Sequence, residues 1–263
     1  MLRARLATAA VAIPLLLAII LFPSRWPVRV LIFVLGAVGV AEYATMAFPT
    51  RLRDRAFTVG LGILVLVGMM SEVPLCASGA LALGVAGSLV WLLVARADFE
   101  QGLRDLGVSW IGSLYVGVLL PHFVWLHGLD QGPRWVIFVI LIGMAGDTGG
   151  YFVGHAVGRH KLIPRVSPGK TVEGAVGILA ASLLGAAIAK LVFLPTVTWN
   201  AALWLGGVMG VIGQFGDLCE SVMKRTFGAK ESGWLFPGHG GVLDRIDSLL
   251  FPATFLFYYL ASR

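Results

Sequence analysis

Charged residues are scarce in this sequence. They make up 13% of the 263 residues, whereas soluble domains carry roughly 25%. Hydrophobic residues make up 58%, and they gather in repeated runs about 20 residues long, the length at which a helix spans a bilayer. The runs do not alternate with a period of two, as the strands of a membrane β-barrel would. The composition therefore indicates a helical membrane protein and no soluble domain.

Cysteine is nearly absent as well. The two cysteines, Cys76 and Cys219, have no second cysteine nearby, so no zinc-ligand spacing is present. The Walker A phosphate loop is also missing, because residues 167–171 read SPGKT without the upstream glycine or the preceding strand. No nucleophile elbow occurs in the sequence. These absences argue against zinc enzymes, P-loop nucleotidases and α/β-hydrolases.

A cleavable leader is not expected either. Arg3 and Arg5 precede an apolar run that ends near residue 22, and this pattern resembles a secretory signal. No small-x-small cleavage pattern follows, and Pro23 and Pro27 come next. The segment is therefore predicted to be a retained first membrane span.

The hydrophobic pattern predicts an all-α, polytopic membrane bundle of about nine transmembrane helices. We divide the chain into residues 1–130, with five transmembrane helices, and residues 131–263, a catalytic transmembrane region with cytoplasmic loops 154–172 and 220–245. The predicted spans cover residues 5–22, 28–48, 56–71, 75–95, 108–127, 134–153, 173–193, 199–219 and 246–262.

Lys and Arg residues give the predicted orientation. If the N-terminus is cytoplasmic, the outer segments carry Arg25, Arg29, Arg134 and Arg263, and Lys190 lies within a span. All other bases then face the cytoplasm, as the positive-inside rule requires. The net charge of +6 therefore reflects membrane insertion and does not predict nucleic-acid binding. Cys76 and Cys219 would lie on opposite sides of the membrane, so no disulfide is expected.

The densest charge lies between the last two apolar segments, in residues 216–247. Asp217, Glu220 and Lys224 are spaced i, i+3, i+7 and share one face of the eighth predicted helix, with Ser221 beside them. An ion pair between Glu220 and Lys224 would be an ordinary feature of a helix end. Asp217 favours a functional site, because it lies deeper in the predicted span, and inserting a carboxylate at the centre of a bilayer costs about 2.5–3.5 kcal/mol.

Two further acids open the ninth predicted helix. The helix dipole explains one acid at a helix start, but Asp244 and Asp247 share a face and would lie opposite Asp217 and Glu220. Carboxylate oxygens suit Mg²⁺, which keeps water and phosphate ligands in its shell. We therefore predict Mg²⁺ held by Asp217 and Asp244, with Glu220 or Asp247 assisting. The number of acids leaves room for a second cation.

Basic residues are interleaved with these acids. They are Lys224, Arg225, Lys230 and Arg245, and the positive-inside rule alone would explain any one of them. Together with the carboxylates they predict a site where bases bind phosphate oxygens while acids hold the metal. His239 lies in a glycine-rich turn, and structural and catalytic roles stay equally open for it.

A second polar segment covers residues 145–174. Asp147 lies in the inner part of the sixth span and precedes a glycine pair, which favours a functional site over plain packing. Ser167 and Thr171 flank Lys170 before the seventh span. The segment fits a capping role at the start of that helix, and this is compatible with phosphate binding by Lys170. Both polar segments lie at the predicted cytoplasmic face, which suggests phosphoryl or nucleotidyl transfer to a lipid.

These residues resemble the signature of the phosphatidate cytidylyltransferases, or CDP-diacylglycerol synthases. The resemblance is specific over residues 145–247 and weaker before them, where Glu42-Tyr43 and residues 114–117 also fit. The family usually has Asp where this sequence has Glu231, which keeps the charge on a longer arm. The matching residues are Gly146-Asp147-Thr148, Ser167-Pro168, Lys170-Thr171, Ser221, Met223-Lys224-Arg225, Lys230, Gly233, Phe236-Pro237, His239-Gly240-Gly241-Val242 and Asp244-Arg245-Ile246-Asp247.

The resemblance implies a multi-pass enzyme of the bacterial inner (plasma) membrane that converts phosphatidate and CTP to CDP-diacylglycerol and pyrophosphate. Anionic phosphatidate would attack the α-phosphorus of CTP without a strong general base, while its tails stay in the lipid. Catalysis would then depend on positioning and electrostatic stabilisation. A homodimer is left open. The expected catalytic residues are Asp217, Glu220, Lys224, Arg225, Lys230, His239, Asp244, Arg245 and Asp247, and those expected to bind substrate are Asp147, Ser167, Lys170, Thr171 and Ser221.

Two other functions stay open at this point. A secondary transporter would also have intramembrane acids and glycine-broken helices, although it would place them in both halves of the chain. A CTP-dependent kinase of polyprenols or phytol would share the membrane helices and basic loops. The signature through Asp247 favours cytidylyl transfer.

Overall fold

The computed structural model describes residues 13–233 and 240–263, so His239 and the start of the first predicted span, with Arg3 and Arg5, lie outside the described residues. Residues 13–21 are helical. The helices that follow in the described residues are α1 (Trp26–Ala47), α2 (Leu52–Met70), α3 (Pro74–Ala95), α4 (Phe99–Leu119), α5 (His122–His127), α6 (Gly132–Val157), α7 (Val172–Val192), α8 (Trp199–Thr226) and α9 (Leu243–Ala261). A hairpin of β1 (Lys161–Ile163) and β2 (Ser167–Thr171) lies between α6 and α7.

Six segments of the described chain are long and apolar enough to cross a membrane. They are α1, α3, α4 continued by α5, α6, α7 and α8. α2 and α9 each have 19 residues, but each carries three charged residues near its start. The predicted helical membrane fold is thus confirmed in outline, while the count of nine spans and the orientation stay predictions.

The all-α prediction needs one correction, at the cytoplasmic loop predicted for residues 154–172. There β1 and β2 pair antiparallel, with Lys161 opposite Thr171 and Ile163 opposite Ser167. Strands this short are too brief for hydrophobic alternation to reveal them. Thr171 ends the hairpin and caps α7, since its hydroxyl accepts a 3.0 Å hydrogen bond from the Gly174 N–H.

The helices pack into two groups that share one buried core. α6, α7 and α8 lie side by side and α9 packs against α8, while α1, α2 and α4 form the other group. Core side chains come from helices on both sides of residue 130. They include Tyr43, Val116, Leu126, Ile142, Met209 and Leu250.

α8 and α9 approach closely because glycines on α8 face the backbone of α9. A Cβ at Gly216 would overlap the carbonyl oxygen of Asp247, and one at Gly213 would lie 2.9 Å from the carbonyl oxygen of Ser248. Backbone atoms cannot move aside as a flexible side chain can. The absence of side chains at these positions therefore sets the distance between the two helices that carry most of the predicted site.

We expect Gly216→Ala to destabilise the protein by about 1–3 kcal/mol, because the added methyl group forces the helices apart. Turnover should fall at least several-fold, since Asp247 moves with α9. Gly207→Ala on the same helix is the control, because its Cβ would meet side-chain carbons no closer than 3.6 Å. Unfolding midpoints in detergent and turnover numbers for both variants check this, and equal behaviour of the two would contradict it.

A charged network joins the ends of three N-terminal helices. Arg51, which precedes α2, contacts Asp105 of α4 at 2.5 Å, and Arg96, which follows α3, contacts the same carboxylate at 3.0 Å. Arg96 also pairs with Asp54 of α2. Asp54 and Asp105 are buried, so each guanidinium compensates a carboxylate that water does not reach.

Asp105→Asn is expected to lower the free energy of unfolding by about 1.5–3 kcal/mol, the contribution typical of hydrogen bonds to charged groups. Turnover should stay near that of the unaltered protein, because none of these residues lines the candidate site described below. Glu100→Gln is the control, since Glu100 pairs with Arg104 at the exposed surface, where such pairs contribute little. A loss of turnover without a loss of stability would assign the network a functional role.

Candidate active site

The C-terminal part of α8 presents the predicted acids on one face. The hydroxyl of Ser221 lies 3.4 Å from Asp217 Oδ1 and donates to it. Glu220 is fully buried, whereas Lys224 and Arg225 lie in the last turn, where their charge complements the helix dipole. The side chains predicted from the i, i+3, i+7 spacing therefore lie together, at different depths.

Lys224 links α8 to α9. Its ammonium lies 2.5 Å from Glu220 Oε2 and 2.5 Å from Asp244 Oδ1. The ion pair considered from the sequence is thus present, but it forms half of a bridge between two carboxylates. All three side chains are largely buried, so the bridge holds the ends of two helices together in a poorly hydrated place.

The carboxylate of Asp244 is held by the loop that precedes α9. Its Oδ2 accepts hydrogen bonds from the N–H groups of Gly241, at 2.7 Å, and Ser232, at 2.9 Å. Burial raises the pKa of Asp244, but the hydrogen bonds from Lys224, Gly241 and Ser232 outweigh it and lower that pKa to about 2. Gly240 adopts a φ of +78°, a conformation that glycine tolerates without strain. Asp244 is therefore a fixed negative charge.

The second polar segment meets the first. Lys170 on β2 lies 2.6 Å from Asp217 Oδ2 on α8, so the hairpin packs against the C-terminal half of that helix. Asp147 on α6 accepts a hydrogen bond of 3.4 Å from the hydroxyl of Ser248 on α9. These residues lie on four elements, α6, β2, α8 and α9, which converge on one place.

Acids and bases from all these elements line one polar pocket of about 360 Å³. Its volume is that of a small-ligand site. Five carboxylates and two cations line it, a composition suited to binding phosphates together with a cation that the carboxylates hold. The lining residues are Asp147, Asp217, Lys224, Glu231, Gly240, Asp244, Arg245 and Asp247.

A second cavity, of about 420 Å³, adjoins the polar pocket and shares Asp147 and Asp217 with it. α6, the hairpin, α7 and α8 form its walls, which carry glycines, aliphatic side chains and Tyr151. Lys170 and Thr171 also line it. Asp147 and Asp217 therefore lie where a polar compartment meets a more apolar one.

Several predicted residues lie elsewhere. The guanidinium of Arg225 donates to the carbonyl oxygens of Val166 and Ala229, so it joins the hairpin to the loop after α8. Lys230 is exposed, Glu220 lies behind Lys224, and Ser167 pairs within the hairpin. None of these four is among the residues that line either cavity.

The predicted metal site has the right oxygen donors but no preformed cage. Within residues 13–233 and 240–263, no three His, Cys, Asp or Glu side chains are grouped closely enough to hold a metal ion. Lys170 and Lys224 neutralise Asp217 and Asp244 instead. Glu220 Oε1 is buried without a hydrogen-bond partner in this part of the chain. These hard oxygen donors fit Mg²⁺, which needs only one or two protein carboxylates when substrate phosphates and water complete its shell.

Sequence reasoning missed Glu42 and Ser232 as parts of the site. Glu42 lies on α1 and accepts a 3.1 Å hydrogen bond from the hydroxyl of Ser232, which also contacts Asp244. A signal was present, because Glu42 is an acid in an otherwise uncharged run from residue 30 to residue 50. Such an acid indicates function by default.

Comparisons with known proteins give the family of this chain. The model of the cytidylyltransferase family matches residues 3–263. The phosphatidate cytidylyltransferase of Bacillus subtilis (strain 168) is 32% identical over 243 residues, which cover 90% of each chain. Those of Staphylococcus saprophyticus and Staphylococcus aureus (strain COL) are 43% and 41% identical over 152 and 151 residues, and each match covers 56% of both chains.

The family match extends over nearly all of the chain, including α1 and the polar pocket between α6, α8 and α9. The resemblance drawn from the signature residues is therefore confirmed. The chain belongs to the cytidylyltransferase family.

Proposed function

We propose that this protein is a nucleotidyltransferase that converts phosphatidate and CTP to CDP-diacylglycerol and pyrophosphate. The observation that carries the proposal is the polar pocket, where acids and bases from α6, α8 and α9 meet beside Lys170 of the hairpin, in a chain of the cytidylyltransferase family.

The reaction needs a place for many phosphate charges. A phosphatidate oxygen forms a bond to the α-phosphorus of CTP, and the bond from that phosphorus to the pyrophosphate oxygen breaks. Lys224 and Arg245 line the pocket and Lys170 lies at its edge, so they can bind the phosphate oxygens of both substrates. Phosphatidate is already an anion, and catalysis depends mainly on positioning and charge stabilisation.

We assign the two cavities to different parts of the substrates. The smaller pocket has charged walls and takes the triphosphate of CTP, whereas the larger cavity, with aliphatic walls and Tyr151, takes the phosphatidate headgroup with its glycerol. Asp147 and Asp217 line both and lie where the two substrates meet. The acyl tails stay in the surrounding lipid.

Mg²⁺ is part of the proposal. Asp217, Asp244 and Asp247 line the pocket and would hold the ion, with Glu220 close behind. When bound, Mg²⁺ would neutralise charge on the triphosphate and on the departing pyrophosphate. Lys170 and Lys224 occupy two of these carboxylates, so we propose that the ammonium groups turn to the phosphates as the substrate arrives.

The topology follows from the same proposal. If α2, α9 and the helix that includes residues 13–21 also cross the membrane, the chain has nine spans. With a cytoplasmic N-terminus, the hairpin and the loop before α9 then face the compartment that supplies CTP. This is the arrangement expected in a bacterial plasma membrane. A homodimer is compatible with this arrangement, but the site does not need a second chain, because one chain supplies all the residues assigned here.

The proposal is tested with the purified protein in detergent–lipid micelles that contain phosphatidate. Addition of CTP and Mg²⁺ should produce CDP-diacylglycerol, identified by mass spectrometry, and an equal amount of pyrophosphate. ATP in place of CTP should release far less pyrophosphate. Absence of CDP-diacylglycerol from protein that remains folded would contradict the proposal.

A further inference from the structure

Glu42 caps a helix that lies two hundred residues further along the chain. Its carboxylate accepts hydrogen bonds from the N–H groups of Val242, at 2.9 Å, and Leu243, at 3.0 Å. These are the N-cap and the first residue of α9, and the N-cap residue Val242 makes no side-chain capping bond of its own. N–H groups at a helix start need acceptors, and a carboxylate there also complements the dipole.

The described residues on both sides of the segment 234–239 lie against this carboxylate. A Cβ at Gly233 would lie 2.7 Å from Glu42 Cδ, and a Cβ at Gly241 would meet both Glu42 oxygens. The Ser232 hydroxyl lies between two carboxylates, 3.1 Å from Glu42 and 2.9 Å from Asp244. Glu42 thus reaches the pocket residue Asp244 in two ways, through α9 and through Ser232.

The neighbouring Tyr43 fixes α1 against the rest of the protein. Its hydroxyl donates a 2.8 Å hydrogen bond to the carbonyl oxygen of Val108 on α4. Its ring packs edge-on against Phe227, the C-cap of α8, with 5.6 Å between ring centroids. Through these two residues, α1 contacts the end of α8 and the start of α9, the helices that Lys224 bridges.

We infer that Glu42 is a positioning residue for the reaction: from α1, it holds the start of α9 and the loop before it so that Asp244 faces the pocket. This inference rests on the proposed function, because it deepens the account of the same site. Glu42 itself does not line the pocket. The N-terminal helices then do more than anchor the protein, since one of them sets the geometry of the site.

Glu42→Gln tests the inference, because an amide nitrogen cannot accept a hydrogen bond and leaves one N–H group of α9 unpaired. We expect the turnover number to fall about 10–100-fold, as for residues that orient a ligand from behind, while the KM for CTP changes less. Gly241→Ala should act in the same way by displacing the carboxylate from the other side. Glu72→Gln is the control, because Glu72 is an acid that pairs with Arg25 and Arg29 and lines neither cavity of the candidate site.

Hydrogen–deuterium exchange gives a second readout that does not depend on turnover. In Glu42→Gln, amides of a peptide covering residues 240–246 should exchange faster, while a peptide from α7 should be unchanged. Unchanged exchange at residues 240–246, or an unchanged turnover number, would overturn the inference. An unaltered protein that makes no CDP-diacylglycerol would overturn the proposed function instead, and the exchange result would still decide whether Glu42 holds the loop.

Discussion

Replacing Asp217 with Asn is expected to lower the turnover number by about 100-fold or more, the loss typical of removing one group that stabilises transition-state charge. Asp217 lines both cavities and contacts Lys170. The amide keeps the shape of the side chain but loses the charge that would hold Mg²⁺ and orient Lys170. The loss of stability should be moderate: both side chains of this pair are partly exposed, but the Lys170 ammonium is buried and loses its charge partner.

Asp130→Asn provides the control for this change, since Asp130 is an exposed acid that lines neither cavity. Both variants should remain folded in detergent, and Asp130→Asn should unfold at the same temperature as the unaltered protein. If Asp217→Asn keeps turnover within about threefold at ordinary Mg²⁺ concentrations, Asp217 does not belong to the metal and phosphate site.

The second large effect is expected for Lys224→Met. The methionine retains the packing but leaves Glu220 and Asp244 without the cation between them, and removing one partner of a buried pair costs about 3–5 kcal/mol. Unfolding of the variant in detergent should show a loss of that size. Turnover should fall as well, because Lys224 lines the pocket and is expected to bind phosphate.

A double variant separates the two roles of Lys224. Adding Glu220→Gln to Lys224→Met removes the buried charge that has no other partner among the described residues, whereas Asp244 keeps its hydrogen bonds from Gly241 and Ser232, so much of the lost stability should be recovered. Turnover should stay low, because no ammonium group returns to the pocket. If turnover recovers together with stability, Lys224 acts only as a structural bridge.

The residues of the site could be predicted from sequence where they share one element. Helical spacing placed Asp217, Glu220 and Lys224 on one face of α8, and the structure has them there. Spacing along one helix also placed Asp244 and Asp247 at the start of α9. These predictions rest on local geometry, which the chain carries in its own periodicity.

Contacts between elements could not be predicted in the same way. Lys170 meets Asp217, and Glu42 meets the start of α9, because of how distant helices pack. No spacing in the sequence reports such contacts. The bridge that Lys224 forms between two acids also depends on the close approach of α8 and α9 at Gly216. From sequence alone, Lys224 could equally be a free phosphate-binding base.

The most direct test of cytidylyl transfer is to follow the α-phosphate and the γ-phosphate of CTP separately. The purified protein is given phosphatidate and CTP labelled either at the α-phosphate or at the γ-phosphate, and the lipid is then extracted and counted. The account predicts label in the lipid from α-labelled CTP, and γ-label in pyrophosphate. Label in the lipid from γ-labelled CTP alone would identify a lipid kinase and contradict cytidylyl transfer.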